Sequence, residues 1–451
     1  MVTRINPRSG AFSYWLGLPG LKLHVMMASY LSHGKSRLAN ARMRVLYITQ
    51  IVPYPPHGGV LQRGYNLLRE LGRELDVHLV AFHHPDELPY GEAVARSEAA
   101  LREFCTTVEY LPLWPKRSAA HNALALALAA AYPKPFSVLA HRSPALSRRI
   151  REVVASNHRP DVVHLDTIAL AQYRTDCGDV PVVLAHHNVE SQLMHRRSMI
   201  ESSWLARRYV AMQARRLERY EAVTSPRFRM NIMVSDADAL LLDSISPGVR
   251  TVVIPNGVDT DYFAPRTDGE EAAVIYTGGM NMFANRDGVE WFLDEIWPRI
   301  RRECPNARFF AVGQKPSQRV LDTAAGDASV EAPGFVPDIR PWVARASVYI
   351  VPLRVGGGTR LKMVDAMAQG KAIVATRIGA EGIRGDDGRH FLLADEPDRF
   401  AAQVIRLLRD ATARRALGNA ARDRVVQEYG WPMLAGRLAS YYASVVEGTD
   451  R

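Results

Sequence analysis

The chain is 451 residues long, about three times a typical ~150-residue domain, and its 47% hydrophobic and 23% charged residues exclude a fibrous, rod-like or disordered protein. Its longest near-uniform apolar run, Ala123 to Tyr132, stops at Pro133 after ten residues, half of the ~20 that a membrane-spanning helix needs. The net charge of +10 is unevenly placed: residues 1–42 carry six basic and no acidic side chains, residues 110–151 seven and none, and residues 195–229 nine against three, which suits a face that meets an anionic surface or substrate.

Residues 1–42 lack apolar periodicity and the apolar core and cleavage site of a secretory signal, and they read as a disordered basic extension. From Arg44 onward, short β-branched runs alternate with longer helical ones, the pattern of βαβ units around parallel sheets. The first half predicts strands at 44–49, 76–82, 161–165, 180–186, 231–235 and 251–255. A Pro/Gly loop after the first strand brings Gly58 and Gly59 to the start of a helix. Residues 189–224 read as one Arg-rich helical stretch. Pro, Gly and Asp cluster at 255–269 as a linker, after which strands are predicted at 273–278, 307–313, 347–353 and 371–376. Residues 396–447 are nearly all helical, broken at Gly430 and Pro432. The expected architecture is α/β: two doubly wound Rossmann-like lobes, 43–258 and 259–430, and a C-terminal helix, 431–451, packing back toward the first lobe. Ligands of such sheets lie outside the carboxyl ends of the strands, so chemistry belongs in a central cleft between facing lobes.

Cys105, Cys177 and Cys304 are far apart and unpaired in spacing, which argues against a disulfide framework or zinc knuckle and fits a reducing cytosol. A G-x-G-x-x-G is absent after the first strand, and no P-loop occurs. In VPLRVGGGTRLKMVDAMAQGKAIVAT a strand ends, Gly356–Gly358 turn, and a helix begins near Thr359. Free amides, a helix dipole, Arg360 and Lys362 converge there, a physical recipe for gripping a diphosphate, and Asp365 within two turns suits a ribose hydroxyl pair. His83-His84 and His186-His187 make poor metal sites, because strand neighbours point to opposite faces. Asp259-x-Asp261, in the linker, reads as turn and cap chemistry.

Together these segments resemble the retaining nucleotide-sugar glycosyltransferases of family 4, which have the two-lobed GT-B fold. PYPPHGG resembles their acceptor-lobe glycine loop, and PVVLAHHN the strand ending in their active-site histidine, which makes His187 the cleft-facing one. VSDADA and IPNGVDTDYF resemble the approach to the hinge, and GFVPD, with Val336 at its centre, the loop that holds the nucleotide base. HHNVES, TGGMN and GGGTRLK look like bacterial exopolysaccharide sugar transferases. The resemblance runs from Met43 to Val446 and implies catalytic roles for His187, Arg360 and Lys362. It implies donor binding by Gly58, Gly59, Gly278, Val336, Gly357, Gly358, Thr359 and Asp365.

Two departures stand out: the family's carboxylate pair is replaced by Gly357 and Asp365, and Gly279 and Asp287 stand where many relatives carry cations. Arg360 and Lys362 are expected to supply that charge instead. The implied reaction is metal-independent transfer, with retention and without a cofactor, from a nucleoside diphosphate sugar to a glycan or polyprenyl-linked acceptor in exopolysaccharide or cell-surface polysaccharide synthesis. A nucleotide-sugar epimerase or a non-catalytic GT-B scaffold are the alternatives. The expected location is cytoplasmic, peripheral on the inner face of the plasma membrane, where Arg207, Arg208, Arg215 and Arg216 meet an anionic surface. Nucleic acid is not expected, since no base-reading module appears.

Overall fold

A computed structural model describes residues 42–56, 59–201, 203–266, 269–355 and 360–449. The first lobe is a seven-stranded sheet of β1 (Arg44–Thr49), β2 (Asp76–His83), β3 (Thr107–Pro112), β4 (Val162–Asp166), β5 (Val182–Ala185), β6 (Met230–Met233) and β7 (Thr251–Val253), in the order β3-β2-β1-β4-β5-β6-β7. The second is six-stranded: β8 (Glu271–Thr277), β9 (Arg308–Val312), β10 (Val330–Gly334), β11 (Ala346–Val351), β12 (Ala372–Ala375) and β13 (Leu392–Leu393), in the order β10-β9-β8-β11-β12-β13. Every named strand pair is parallel. Both sheets therefore reverse direction of winding beside their first strand, at β1/β4 and at β8/β11, and each opens a crevice at those strand ends.

Two doubly wound lobes are thus observed, but β3, β10 and β13 escape sequence reading. All three are edge strands. Central parallel strands are covered on both faces and spell unbroken apolar runs such as VLYI and VVLA, whereas TVEYLP and VEAPG are only partly buried. The stretch at 189–224 is two helices, Glu190–Ile200 and Trp204–Thr224; the Oγ of Ser203 accepts from Ala206 N and caps the second. The glycine-rich helix begins at Leu361 rather than near Thr359, with Arg360 as its N-cap residue.

The final helix, Trp431–Glu447, leaves the second sheet and packs on the helix Gly59–Leu71 of the first lobe. Tyr442 Oη lies 2.7 Å from His164 Nδ1 of β4, and Val258 N donates to Tyr429 O at 2.8 Å. Buried Arg63 donates to Pro255 O at 2.9 Å and to Asn256 Oδ1 at 3.2 Å, tying the first lobe's leading helix to the connecting segment. Asp259 Oδ1 accepts from the amides of Asp261 and Tyr262, which is turn chemistry. Arg384 grips Asp236, which follows β6, bidentately, with contacts of 2.8–3.0 Å.

Candidate active site

At the β4/β5 end of the first lobe the chain places Asp166 and then the pair His186-His187. His186 turns into the core, where its Nε2 meets Asn231 Oδ1 at 3.1 Å and burial pushes its pKa down to about 4. His187 takes the opposite side; its side chain is 10% exposed, and its Nε2 is 3.2 Å from Asp166 Oδ2, an ion-pair distance without hydrogen-bond alignment. Burial by itself raises the Asp166 carboxyl, but the facing charge of His187 and its contacts with His164 and His187 outweigh that, so it is held well below the usual carboxylate range. His164 Nε2 is 3.7 Å from Asp166 Oδ1, and its ring stacks on Tyr47 with centroids 4.1 Å apart, so the carboxylate is fixed from behind. Further back, Thr167 Oγ1 donates to Glu190 Oε1 at 2.6 Å, and Ser191 N donates to Glu221 Oε1 at 3.3 Å. Burial raises both glutamates, Glu221 to about 7.

In the second lobe, β8 ends at Thr277 and the backbone turns through Gly278, whose φ of +147° suits glycine. A Cβ on Gly278 would fall 2.5 Å from Lys362 Nζ, so the lysine reaches this turn only because no side chain is there. Lys362 Nζ donates to Tyr276 Oη at 2.6 Å and to Asn285 Oδ1 at 2.8 Å, while Asn285 Nδ2 donates back to Gly279 O at 2.8 Å. Burial, and then Arg360, push the Lys362 pKa down to about 7. Asp365, one helical turn on, is raised to about 7 by burial, and its Oδ1 is buried without a hydrogen-bond partner.

Arg360 Nε donates to Ile378 O at 3.3 Å, and its Nη2 is 3.8 Å from Glu381 Oε2. Burial lowers its pKa, and the charge of Glu381 opposes this. Asp287, where relatives carry a cation, is engaged bidentately by Arg354 at 3.0 and 2.5 Å. A Cβ on Gly59 would lie 3.5 Å from Leu361 Cδ1, so the start of the first lobe's leading helix meets the start of the helix Leu361–Ala368.

Of the residues singled out from sequence, Gly58, Gly357, Gly358 and Thr359 lie outside the described residues. Gly278, Arg360, Lys362 and Asp365 gather at the second sheet's crevice, and His187 stands at the first's. Val336 packs its side chain against the second lobe's core, while neighbouring Phe335 is largely exposed on the loop after β10. Asp166, Tyr276, Asn285, Arg354 and Glu381 were missed. Only Asp166 carries a sequence signal: in VVHLD an acid closes a fully buried strand, and a buried carboxylate needs a partner.

Comparison with known proteins divides the chain along the same line. Residues 57–262 match the family model described as Glycosyltransferase Family 4, and residues 271–410 the one described as Glycosyl transferases group 1. The two matches together take in both lobes, and the chain belongs to the family 4 glycosyltransferases. The phosphatidyl-myo-inositol mannosyltransferase of Mycobacterium tuberculosis is 30% identical over 215 residues, 44% of this chain and 55% of that protein. The glycogen synthase of the same organism is 26% identical over 310 residues, 64% and 70% of the two chains. Thus the chain spans about half the length of the first of these curated relatives. Among solved structures, the HepE protein of Anabaena in complex with UDP superposes with a TM-score of 0.62 at 14% identity, over 89% of this chain and all of that one. Sucrose-phosphate synthase of Thermosynechococcus elongatus does so with 0.62 at 17% identity, covering 90% and 100%. These likenesses establish the GT-B fold.

Proposed function

We propose that the protein transfers a sugar, with retention, from a nucleoside diphosphate sugar to a glycan or polyprenyl-linked glycan in exopolysaccharide or cell-surface polysaccharide synthesis. The observation that carries this reading is Lys362, a half-buried amine held against the open backbone at Gly278 beside a helix start, facing the lobe that presents Asp166–His187. Negative charge grows on the leaving diphosphate during transfer. Helix amides, Lys362 and Arg360 are placed to stabilise it without reorganising. His187, fixed by Asp166, is the group beside the transferred sugar, and the exposed Phe335 loop supplies a surface for the base. The UDP bound by the Anabaena neighbour and the mannosyl transfer named for the mycobacterial relative support a nucleotide-sugar donor. Lys362 and Arg360 beside a helix start supply positive charge at the proposed diphosphate site, which supports reading the reaction as metal-independent.

A panel of nucleotide sugars, scored by melting temperature in excess EDTA, tests this directly. One nucleotide class is expected to stabilise the fold by several degrees. No stabilisation by any member, or stabilisation that needs added Mn²⁺ or Mg²⁺, overturns the reading.

The site also makes affinity depend on pH in a defined direction. With its pKa near 7, Lys362 is largely neutral above pH 8 in the free protein, and a diphosphate beside it restores the charge, so binding takes up a proton. Affinity for a nucleoside diphosphate is therefore full below pH 7 and weakens by up to about tenfold per unit as pH rises beyond it. Ionisation of Asp365 over the same range works in the same direction. Calorimetry in buffers of different ionisation enthalpy measures the uptake; a flat affinity from pH 6.5 to 9 would count against Lys362 as a phosphate ligand.

A further inference from the structure

A helix on a protein surface normally buries an apolar stripe and wets a charged one. The helix Ala119–Ala131 does neither. Apart from His121 and Asn122 it consists of Ala and Leu, it has no charged side chain, and only Ala125 and Ala129 are buried. Leu124, Leu126 and Leu128 are 52%, 42% and 46% exposed. The helix is nevertheless firmly held. Arg216 donates to the carbonyls of Ala129, Tyr132 and Ala130 at 2.6, 2.7 and 3.1 Å, and Gln213 to that of Ala129 at 3.2 Å, so its C-terminal acceptors are satisfied by the helix Trp204–Thr224. Arg207 stays exposed and reaches the nearby carbonyls of Met199 and Glu201, both at 3.4 Å.

Of the four arginines expected to meet an anionic surface, Arg216 instead holds the end of the apolar helix, while Arg207, Arg208 and Arg215 are exposed. Arg208 and Arg215, both exposed, lie about a quarter-turn round their helix from Arg216, the residue that holds the C-terminus of the apolar helix. Exposed Arg117 precedes the apolar helix and Lys134 follows it, in a segment, 110–151, without a single acid.

We propose that this face docks on the surface of an anionic bilayer, with Ala119–Ala131 lying in the interface and Arg208 and Arg215 over lipid phosphates. At about 20 Å the helix is too short to cross a membrane, and among the described residues no helix is long and apolar enough to do so; its all-round apolar surface suits the acyl–headgroup boundary. Charge complementarity selects the bilayer over a second copy of the chain, since pairing two such faces brings like charges together. The proposal rests on the transfer reading only for the membrane-linked acceptor; the docking face stands on exposure and charge.

The test is flotation of the full chain with vesicles of phosphatidylglycerol and phosphatidylcholine against vesicles of phosphatidylcholine alone, at low and high salt. Binding is expected to the anionic vesicles at low salt. Arg208→Gln with Arg215→Gln should weaken it about thirtyfold, and Leu124→Gln, Leu126→Gln and Leu128→Gln together by at least about tenfold. Nucleotide-induced stabilisation should persist in both variants, which separates failure of docking from failure of the transfer reading. Equal binding to neutral vesicles, unchanged flotation of either variant, or a concentration-dependent dimer lost in the leucine variant would overturn the proposal; the arginine variant keeps the test decisive if the leucine variant does not fold.

Discussion

Replacing Lys362 by methionine is expected to lower donor turnover roughly 10²- to 10³-fold, about 2.7–4 kcal/mol of transition-state stabilisation, while leaving the melting temperature within a few degrees of wild type. The two effects separate for a physical reason. In the free protein the side chain is half-buried, and desolvation has already drawn its pKa down to about 7, so removing it relieves a desolvation cost. The lost hydrogen bonds to Tyr276 and Asn285 offset that gain. Charge is needed only when the diphosphate leaves. Asp287 leaves no substitute at this strand end, because it pairs with Arg354, and Arg360 is partly engaged by Glu381 and the Ile378 carbonyl. Arg360→Ala is therefore expected to cost less than Lys362→Met. A Lys362→Met protein with near-normal turnover would remove the site and favour a non-catalytic scaffold.

Asp166→Asn is expected to cut transfer about as much as His187→Ala, roughly 10²-fold or more, with nucleotide affinity nearly unchanged in both. The expectation is that Asp166 acts through the imidazole: its carboxylate meets His164 Nε2 and His187 Nε2, and His164 is itself held by Tyr47 and Tyr442. A double variant should then be no worse than His187→Ala alone, whereas additive losses would mean that Asp166 touches substrate independently or merely supports the core. Stability provides a second reading. The carboxyl has a depressed pKa in the folded chain, so its contribution is present above the unfolded value near pH 4 and is lost as pH falls through the folded one. Asp166→Asn should melt below wild type at pH 7, and the gap should close in acid.

The two sites differ in how far sequence reading reached them. Lys362 and Arg360 follow three glycines at the end of a buried strand, so local spacing alone announced an anion-binding helix start. His187 was singled out, but its partner 21 positions earlier was not, because only the parallel register of β4 and β5 brings the two strand ends side by side. Tyr276, Asn285 and Arg354 are ordinary residues in sequence. They matter because β8 and β11 are neighbours.

Continuous apolar runs punctuated by Gly and Pro determined the two parallel α/β lobes and the positions of their central strands along the chain, since strands covered on both faces allow few polar residues. Edge strands escaped for the opposite reason. Tertiary structure alone decided which charges act and which hold the fold together. Arg216 reads in sequence like Arg208 and Arg215, yet it caps the carbonyls of a neighbouring helix while they face outward. Asp166, His187 and Lys362 likewise owe their electrostatic character to burial and to partners brought from other strands, because desolvation and Coulomb energies depend on distance in space rather than along the chain.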